Sequence, residues 1–405
     1  MVDAVPALRG AGQAVTVRDA VVIGGGPAGA TLAQALAAAG RDVVLVEREA
    51  DPHDKVCGEF LSQEAIHYLR LSGLEPDRLG AVPIAELGVS AGRARVTCPL
   101  PFTAYSLSRR RMDEALIELA RRAGSRILRG RSVQGLERCG GFWTARLDDG
   151  DMIRARDAFV ATGKHDLRGW KRPPGSQNDL IGLKLHFRLA AGQAAALAGK
   201  VELFLFPGGY AGLEPIEEGK VNLCLLIRKA TFRRIGQNWP VLLDLVQAFD
   251  GHFARRIAGA VPLRGRPLAI ANIPYGLVER REDGCWRLGD QAAVIPSFAG
   301  EGMSIALHSA ALAADCYLHG GTPAEFTGRL RRDLSGQVWR ATLLSHLLVQ
   351  RQAQAALAVG ARLWPGALGR IASATRIQAA ALLSLPAVTP DQRRAVPVAP
   401  QATAP

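Results

Sequence analysis

The sequence predicts an α/β protein in which a parallel strand–helix–strand unit is interrupted by an antiparallel sheet and followed by C-terminal helices. Three observations along its 405 residues carry this. First, the β-branched run Ala20-Val-Val-Ile23 passes through a glycine turn into the alanine-rich stretch 28–39, then Gly40, then a second apolar run, Val43-Val-Leu-Val46. A buried strand, a tight turn, a helix and a second buried strand form one parallel unit. Second, the stretches 183–189, 201–206 and 221–227 alternate or stay apolar between Gly and Pro turns, the pattern of strands in an inserted sheet. Third, the chain from Phe326 onward reads as helical, with Pro365 as a breaker. Between these landmarks we expect a helix from about Arg111 to Ala123. A hairpin is expected to turn at Asp148-Asp-Gly150, and the chain to return through Trp286-Arg-Leu-Gly-Asp290 to a helix starting near Gly302.

Gly24-Gly-Gly26-Pro-Ala-Gly29 fits G-x-G-x-x-G between a strand and a helix, where backbone amides can approach a pyrophosphate. Glu47, with Arg48 beside it, ends the second strand eighteen residues after Gly29, where a carboxylate can accept ribose hydroxyls. NAD and FAD share this fingerprint, so the choice between them has to come from elsewhere in the chain.

Two further segments decide it by resemblance. Leu107-Ser-Arg109-Arg-Arg-Met112-Asp113 is similar to an Arg-x-Arg-Phe-Asp segment at a helix start. Gly289-Asp290-Gln-Ala-Ala-Val-Ile-Pro296 followed by Gly300-Glu-Gly302-Met303 is similar to a Gly-Asp segment and the helix after it. Over roughly residues 19–320 the chain resembles the FAD-dependent oxidoreductase superfamily of para-hydroxybenzoate-hydroxylase-like monooxygenases and geranylgeranyl reductases. The resemblance implies a Rossmann-like FAD-binding domain of the glutathione-reductase type, with an inserted antiparallel β-sheet substrate domain and C-terminal helices. It implies FAD contacts at Gly24, Gly26, Gly29, Glu47, Arg48, Arg109, Asp290, Gly300, Gly302 and Met303. The helix N-terminus near Gly302 would stabilise negative charge on reduced flavin.

A fourth patch, Lys55-Val-Cys57-Gly-Glu59, resembles a stretch of the geranylgeranyl reductases that lies near the flavin, which makes Cys57 and Glu59 the candidate catalytic residues. Other signatures depart from the family. Phe159-Val-Ala-Thr-Gly163 continues without the Asp-Gly pair usual in aromatic hydroxylases, Tyr210-Ala-Gly-Leu-Glu-Pro215 lacks the aromatic pattern of many reductases, and no halogenase Trp-x-Trp motif appears. With a single dinucleotide fingerprint, the reductant is expected to be external NADH or NADPH. Two chemistries compete: hydroxylation of a hydrophobic aromatic or polyketide-like substrate, which we place first, and saturation of isoprenoid double bonds. A non-catalytic FAD-binding protein ranks well below both.

The expected organisation is a lead-in at 1–18, an FAD-binding domain in two pieces at 19–180 and 270–325, and a substrate domain at 181–269. A helical region at 326–385 and a tail at 386–405 complete it. At 48% hydrophobic the chain can bury the cores of two joined domains. Six cysteines without a C-x-x-C pair or a nearby His cluster suggest neither a metal site nor a disulfide framework, and they fit a reducing cytoplasm. Residues 1–18 lack the basic start and apolar run of a signal peptide, and no apolar run reaches the roughly 18 residues of a spanning helix. The net charge is +13, but its arginines are spread with few aromatics between them, so nucleic acid is not expected as a partner. Residues 327–382 carry eight arginines against one acid, Asp333. That region reads either as core packing with a solvated arginine face or as a surface resting peripherally on an anionic membrane. The expected partner is a hydrophobic small molecule, and the chain is expected as monomer or homodimer.

Overall fold

The computed structural model describes residues 16–364 and 366–383. Most of the expected lead-in, the breaker Pro365 and the tail lie outside them. The first strand, β1, is Val17–Ile23, which begins two residues inside the expected lead-in. Helix α1, Pro27–Ala38, and strand β2, Val43–Glu47, complete the parallel unit, with Val21 opposite Val44 and Ile23 opposite Val46. The alanines of α1 let it sit close between two other helices. Ala30, Ala33 and Leu36 share one core with Leu116 and Ala120 of the helix Arg109–Arg122 and with Leu307 and Ala310 of the helix Gly302–Leu318.

These elements lie against a seven-stranded sheet whose middle strands, β2, β1 and Met152–Val160, run parallel. The strand Phe142–Leu147 pairs antiparallel with Met152–Val160, the hairpin expected at Asp148-Asp-Gly150. Trp286–Arg287 returns to this sheet parallel to Phe159 and Val160, which brings the Gly289-Asp290 segment to the same end as the glycine turn. The helix expected from Arg111 begins at Arg109, because the Ser108 side chain caps it by accepting the Arg111 amide at 3.3 Å.

The second sheet has nine strands and is larger than the expected insertion. Its centre is Leu180–Arg188, Val221–Arg228, Gly209–Pro215 and Lys200–Phe206, paired antiparallel as expected. Residues 82–91 and 94–106, which the sequence reading gave to the FAD-binding part, belong to this sheet. Val82–Ala91 pairs parallel with Lys200–Phe206 and antiparallel with Ala94–Ser106. One face of its central strands, Leu183, Leu185, Phe204, Leu223 and Leu225, packs on Leu242, Val246 and Phe253 of two short helices. The long helix Pro323–Leu348 opens with a capping box between Thr322 and Glu325 and crosses both sheets' cores. Among the described residues no helix is long and apolar enough to cross a membrane.

Candidate functional site

Between the two sheets lies a cavity of about 710 Å³. One end is formed by the turn after β1. Gly24 has φ +109°, and a Cβ there would stand 2.4 Å from the Ala161 carbonyl oxygen, so only glycine fits. At Gly29 a Cβ would stand 1.9 Å from the Gly24 oxygen. Gly29 is therefore a packing glycine: it lets α1 start against the turn, and it does not line the cavity. Gly26 does line it, with open space on its Cα until the Arg109 Nη2 at 3.5 Å. Glu47 accepts the Gly25 amide at 2.6 Å and the Glu49 amide at 3.1 Å, which fixes its carboxylate at the cavity edge with lone pairs to spare.

The other expected contact residues, Arg48, Arg109, Asp290, Gly300, Gly302 and Met303, all line the same cavity. Arg109 forks onto Asp113, Nε and Nη2 each at 2.8 Å, and Lys55 Nζ reaches the same carboxylate at 3.0 Å. Burial opposes that guanidinium's charge, but Asp113 outweighs it and raises the arginine above its usual range. The Asp290 carbonyl accepts Arg172 Nη1 at 2.6 Å. His165 is pushed below its ordinary pKa by burial and by the cations around it, Arg48, Arg172, Lys164 and Lys55. Gly300 needs its φ of +69°, and a Cβ there would meet the Phe60 ring at 2.7 Å.

The donor set fits FAD. A glycine turn opens onto a helix N-terminus, the cations Arg48, Lys55 and Arg109 line the same cavity as that turn, and the acids Glu47 and Asp290 line it too, the residue types that phosphates and sugar hydroxyls call for. The cavity volume falls in the range of cofactor sites.

The candidate catalytic residues sit in the wall between this cavity and the second sheet. Cys57 is half-buried, its sulfur accepts the Glu59 amide at 3.4 Å, and the Arg109 guanidinium faces it. Glu59 has no solvent exposure and a left-handed backbone, φ +62°, a strained state for a residue with a Cβ. Its carboxylate holds that turn in place. Oε1 accepts Lys184 Nζ at 2.5 Å and the Arg109 amide at 2.9 Å, and Oε2 faces His186 Nε2 at 2.8 Å. Burial would raise this carboxyl, but Lys184 and His186 outweigh it and hold it below the usual range. Asp54, Glu59 and His186 come within 4.8 Å of one another, but the Lys184 ammonium already supplies the positive charge a metal would bring.

Sequence reasoning missed Lys184, His186 and Glu214. The first two stand two apart on the strand Leu180–Arg188, the spacing that puts side chains on one face. Two basic residues repeating at that spacing inside an apolar strand were the signal. Glu214, buried by the strand pairing and close to Glu59, has its carboxyl pushed up to about 8. Ser106 Oγ donates to it at 3.2 Å and Asn222 Nδ2 at 3.4 Å. Glu214 therefore keeps a proton in the folded protein that the unfolded chain loses above its ordinary 4.5. Its contribution to stability is complete below about 4.5 and is lost as pH rises toward about 8. The Glu214→Gln variant should lack this slope, up to about 1.4 kcal/mol per pH unit. Denaturant unfolding of both proteins at pH 5.5 and pH 8 checks it; parallel changes in the two would refute a raised Glu214.

Comparison with known proteins agrees with this architecture. Residues 18–156 match a family described as FAD binding domain. The menaquinone reductase of Mycolicibacterium smegmatis is 26% identical over 332 residues, 76% of this chain and 78% of that protein. A digeranylgeranylglycerophospholipid reductase of Methanopyrus kandleri is 29% identical over 71% of this chain and 74% of its own length. Among solved structures, Pseudomonas aeruginosa PqsL in complex with 2-aminobenzoylacetate superposes with a TM-score of 0.69 at 20% identity, covering 84% of this chain and 99% of that one. Residues 18–156 thus carry an FAD binding domain, and the chain shares its fold with PqsL and with a geranylgeranyl bacteriochlorophyll reductase-like protein of Thermoplasma acidophilum, which superposes with a TM-score of 0.68 at 18% identity over 90% of this chain and 94% of that one.

Proposed function

We propose that this protein reduces carbon–carbon double bonds of a prenyl-type lipid, using NADH or NADPH as the external source of the hydride. The observation that carries this is the Cys57 thiol at the cavity wall, a proton-bearing group whose turn is held in place by the Lys184–Glu59–His186 cluster. Hydroxylation, which the sequence alone placed first, calls for a site that excludes water from activated oxygen, whereas the half-buried Cys57 is reached by it. Addition of hydrogen to a double bond needs a hydride on one carbon and a proton on the other, and a donor at the wall answers the second requirement. The mycobacterial and archaeal proteins similar over most of their length are named as reductases of menaquinone and of a digeranylgeranyl lipid, which supports the same choice.

In this reading Gly24, Gly26, Glu47, Arg48, Arg109 and Asp290 would hold the dinucleotide, with Gly300, Gly302 and Met303 on the flavin side. Bound there, FAD supplies the hydride taken from the nicotinamide. The proton comes from Cys57 Sγ. The thiolate left behind faces the Arg109 guanidinium, which stabilises it, and it regains its proton from water reaching this half-buried position. Glu59 is a positioning residue. It is ionised and its oxygens are engaged, so it holds the Cys57-Gly58-Glu59 turn and gives no proton.

The test incubates purified FAD-loaded protein with NADH or NADPH and a prenyl lipid under strict anaerobiosis, and in parallel with labelled oxygen. The expected product forms without oxygen and is heavier by two hydrogen atoms per bond reduced. Labelled oxygen in the product would overturn the proposal in favour of hydroxylation. The Cys57→Ser variant should lose about 10²–10⁴-fold in turnover, with FAD content and flavin reduction by the nicotinamide unchanged.

A further inference from the structure

The long helix Pro323–Leu348 has two unlike faces. On the inner one Leu344 and Leu348 pack in one cluster with Ile270, Tyr275 and Val294, three residues that also wall the cavity. On the outer one Trp339, Leu343 and Leu347 follow one another at four-residue spacing, exposed by 66%, 52% and 39%. Scattered exposed leucines are ordinary, but a tryptophan and two leucines in line over a little more than two turns form a stripe. Arg332, seven residues before Trp339 and so on the same face, extends this stripe toward the helix start, and it is exposed. Arg351, exposed at the start of the next helix, follows four residues after Leu347. That next helix ends in a second exposed apolar pair, Leu363 and Trp364, with the Arg370 guanidinium 4.7 Å over the Trp364 ring. From Leu334 to Leu383 the sequence contains no acidic residue.

We propose that this face docks on an anionic lipid surface, with Trp339, Leu343 and Leu347 in the headgroup–acyl boundary and the flanking arginines on lipid phosphates. Aromatic and aliphatic side chains on one face, bordered by arginine and free of acids, are the composition of an interfacial helix. A second copy of the chain is the poorer occupant. A two-fold contact pairs the same patch with itself and would set arginines against arginines, with no carboxylate on these helices after Asp333 to offset them. The docking rests on the prenyl-lipid reading for its purpose. One helix thickness, about 10 Å, then separates the lipid surface from the side chains walling the cavity.

The test sediments the full FAD-loaded chain with phosphatidylcholine vesicles, with and without phosphatidylglycerol. Partition onto the phosphatidylglycerol vesicles that weakens with added salt is the expected result. The triple variant Trp339→Gln, Leu343→Gln, Leu347→Gln should partition at least about tenfold less, with FAD content and melting temperature unchanged, since these side chains are exposed and none lines the cavity. The Arg332→Gln, Arg351→Gln pair should remove the preference for phosphatidylglycerol. Equal partition of the triple variant and the parent would overturn the proposal. So would a dimer of the parent in lipid-free buffer that the triple variant converts to monomer, which would make this face a subunit interface. Vesicle binding without double-bond reduction would support the docking and defeat the proposed function. Reduction of detergent-dispersed lipid without vesicle binding would defeat the docking alone.

Discussion

Lys184→Met should cost the folded protein about 3–5 kcal/mol, because it removes the ammonium and leaves the Glu59 carboxylate buried with too few partners. Lys184 is 1% exposed and Glu59 0%, so water cannot replace the lost contact. The methionine fills much of the lysine's volume, so the loss reports charge more than a cavity. The double variant Lys184→Met, Glu59→Gln should recover a large part of it, because a neutral amide no longer demands a cation. Denaturant unfolding of the two single variants and the double variant measures this. A double variant as unstable as the sum of the singles would show that the two side chains are not coupled. The Lys184 variant should also hold FAD less well, since the strained turn at Glu59 borders the cavity and is fixed by this contact.

Arg376→Met should cost about 3 kcal/mol at pH 8 and distinctly less at pH 6. Arg376 Nη1 donates to Glu64 at 2.9 Å and to Glu301 at 2.5 Å, and its guanidinium lies 3.5 Å over the Phe102 ring. Burial pushes the Glu301 carboxyl up to about 7 even with the arginine beside it. Without the arginine that carboxyl is raised further, so at pH 6 Glu301 takes a proton and the cost shrinks, while at pH 8 it must stay charged without a partner or pay for protonation. Melting temperatures of the variant and the parent at the two pH values check the sign. A larger gap at pH 6 would contradict it.

The parts of this molecule that were legible in the sequence are those whose signals are local. The turn after β1 announces itself because Gly24 and Gly29 meet at backbone contact distance, which no other residue type allows. The hairpin at Asp148-Asp-Gly150 likewise lies within a few residues of its own strands. By contrast, Val82–Ala91 pairs with Lys200–Phe206, more than a hundred residues away, and its other neighbour carries Pro99 and Pro101, which argue against a strand when read alone. The glycine motif indicated the cavity but not the separate duties inside it, since Gly26 faces the open space and Gly29 packs the helix. Lys184 and His186 were hidden for a related reason. A basic residue at alternate strand positions ordinarily faces water, and only the placement of Glu59, from more than a hundred residues earlier in the chain, turns that face into an interior.

Arg376 gives the order of synthesis a physical consequence. Glu301 sits between the two glycines that border the cavity, and Glu64 follows shortly after the Cys57 turn, yet both carboxylates depend on a cation near the end of the described chain. A nascent chain emerging at about 5–20 residues per second has made nearly every residue of the cavity wall before that cation appears. Until then two acids close to the wall, though not part of its lining, favour water over burial. Closure of the cavity, and with it tight retention of the cofactor, is thereby deferred until the segment carrying Arg376 has been made.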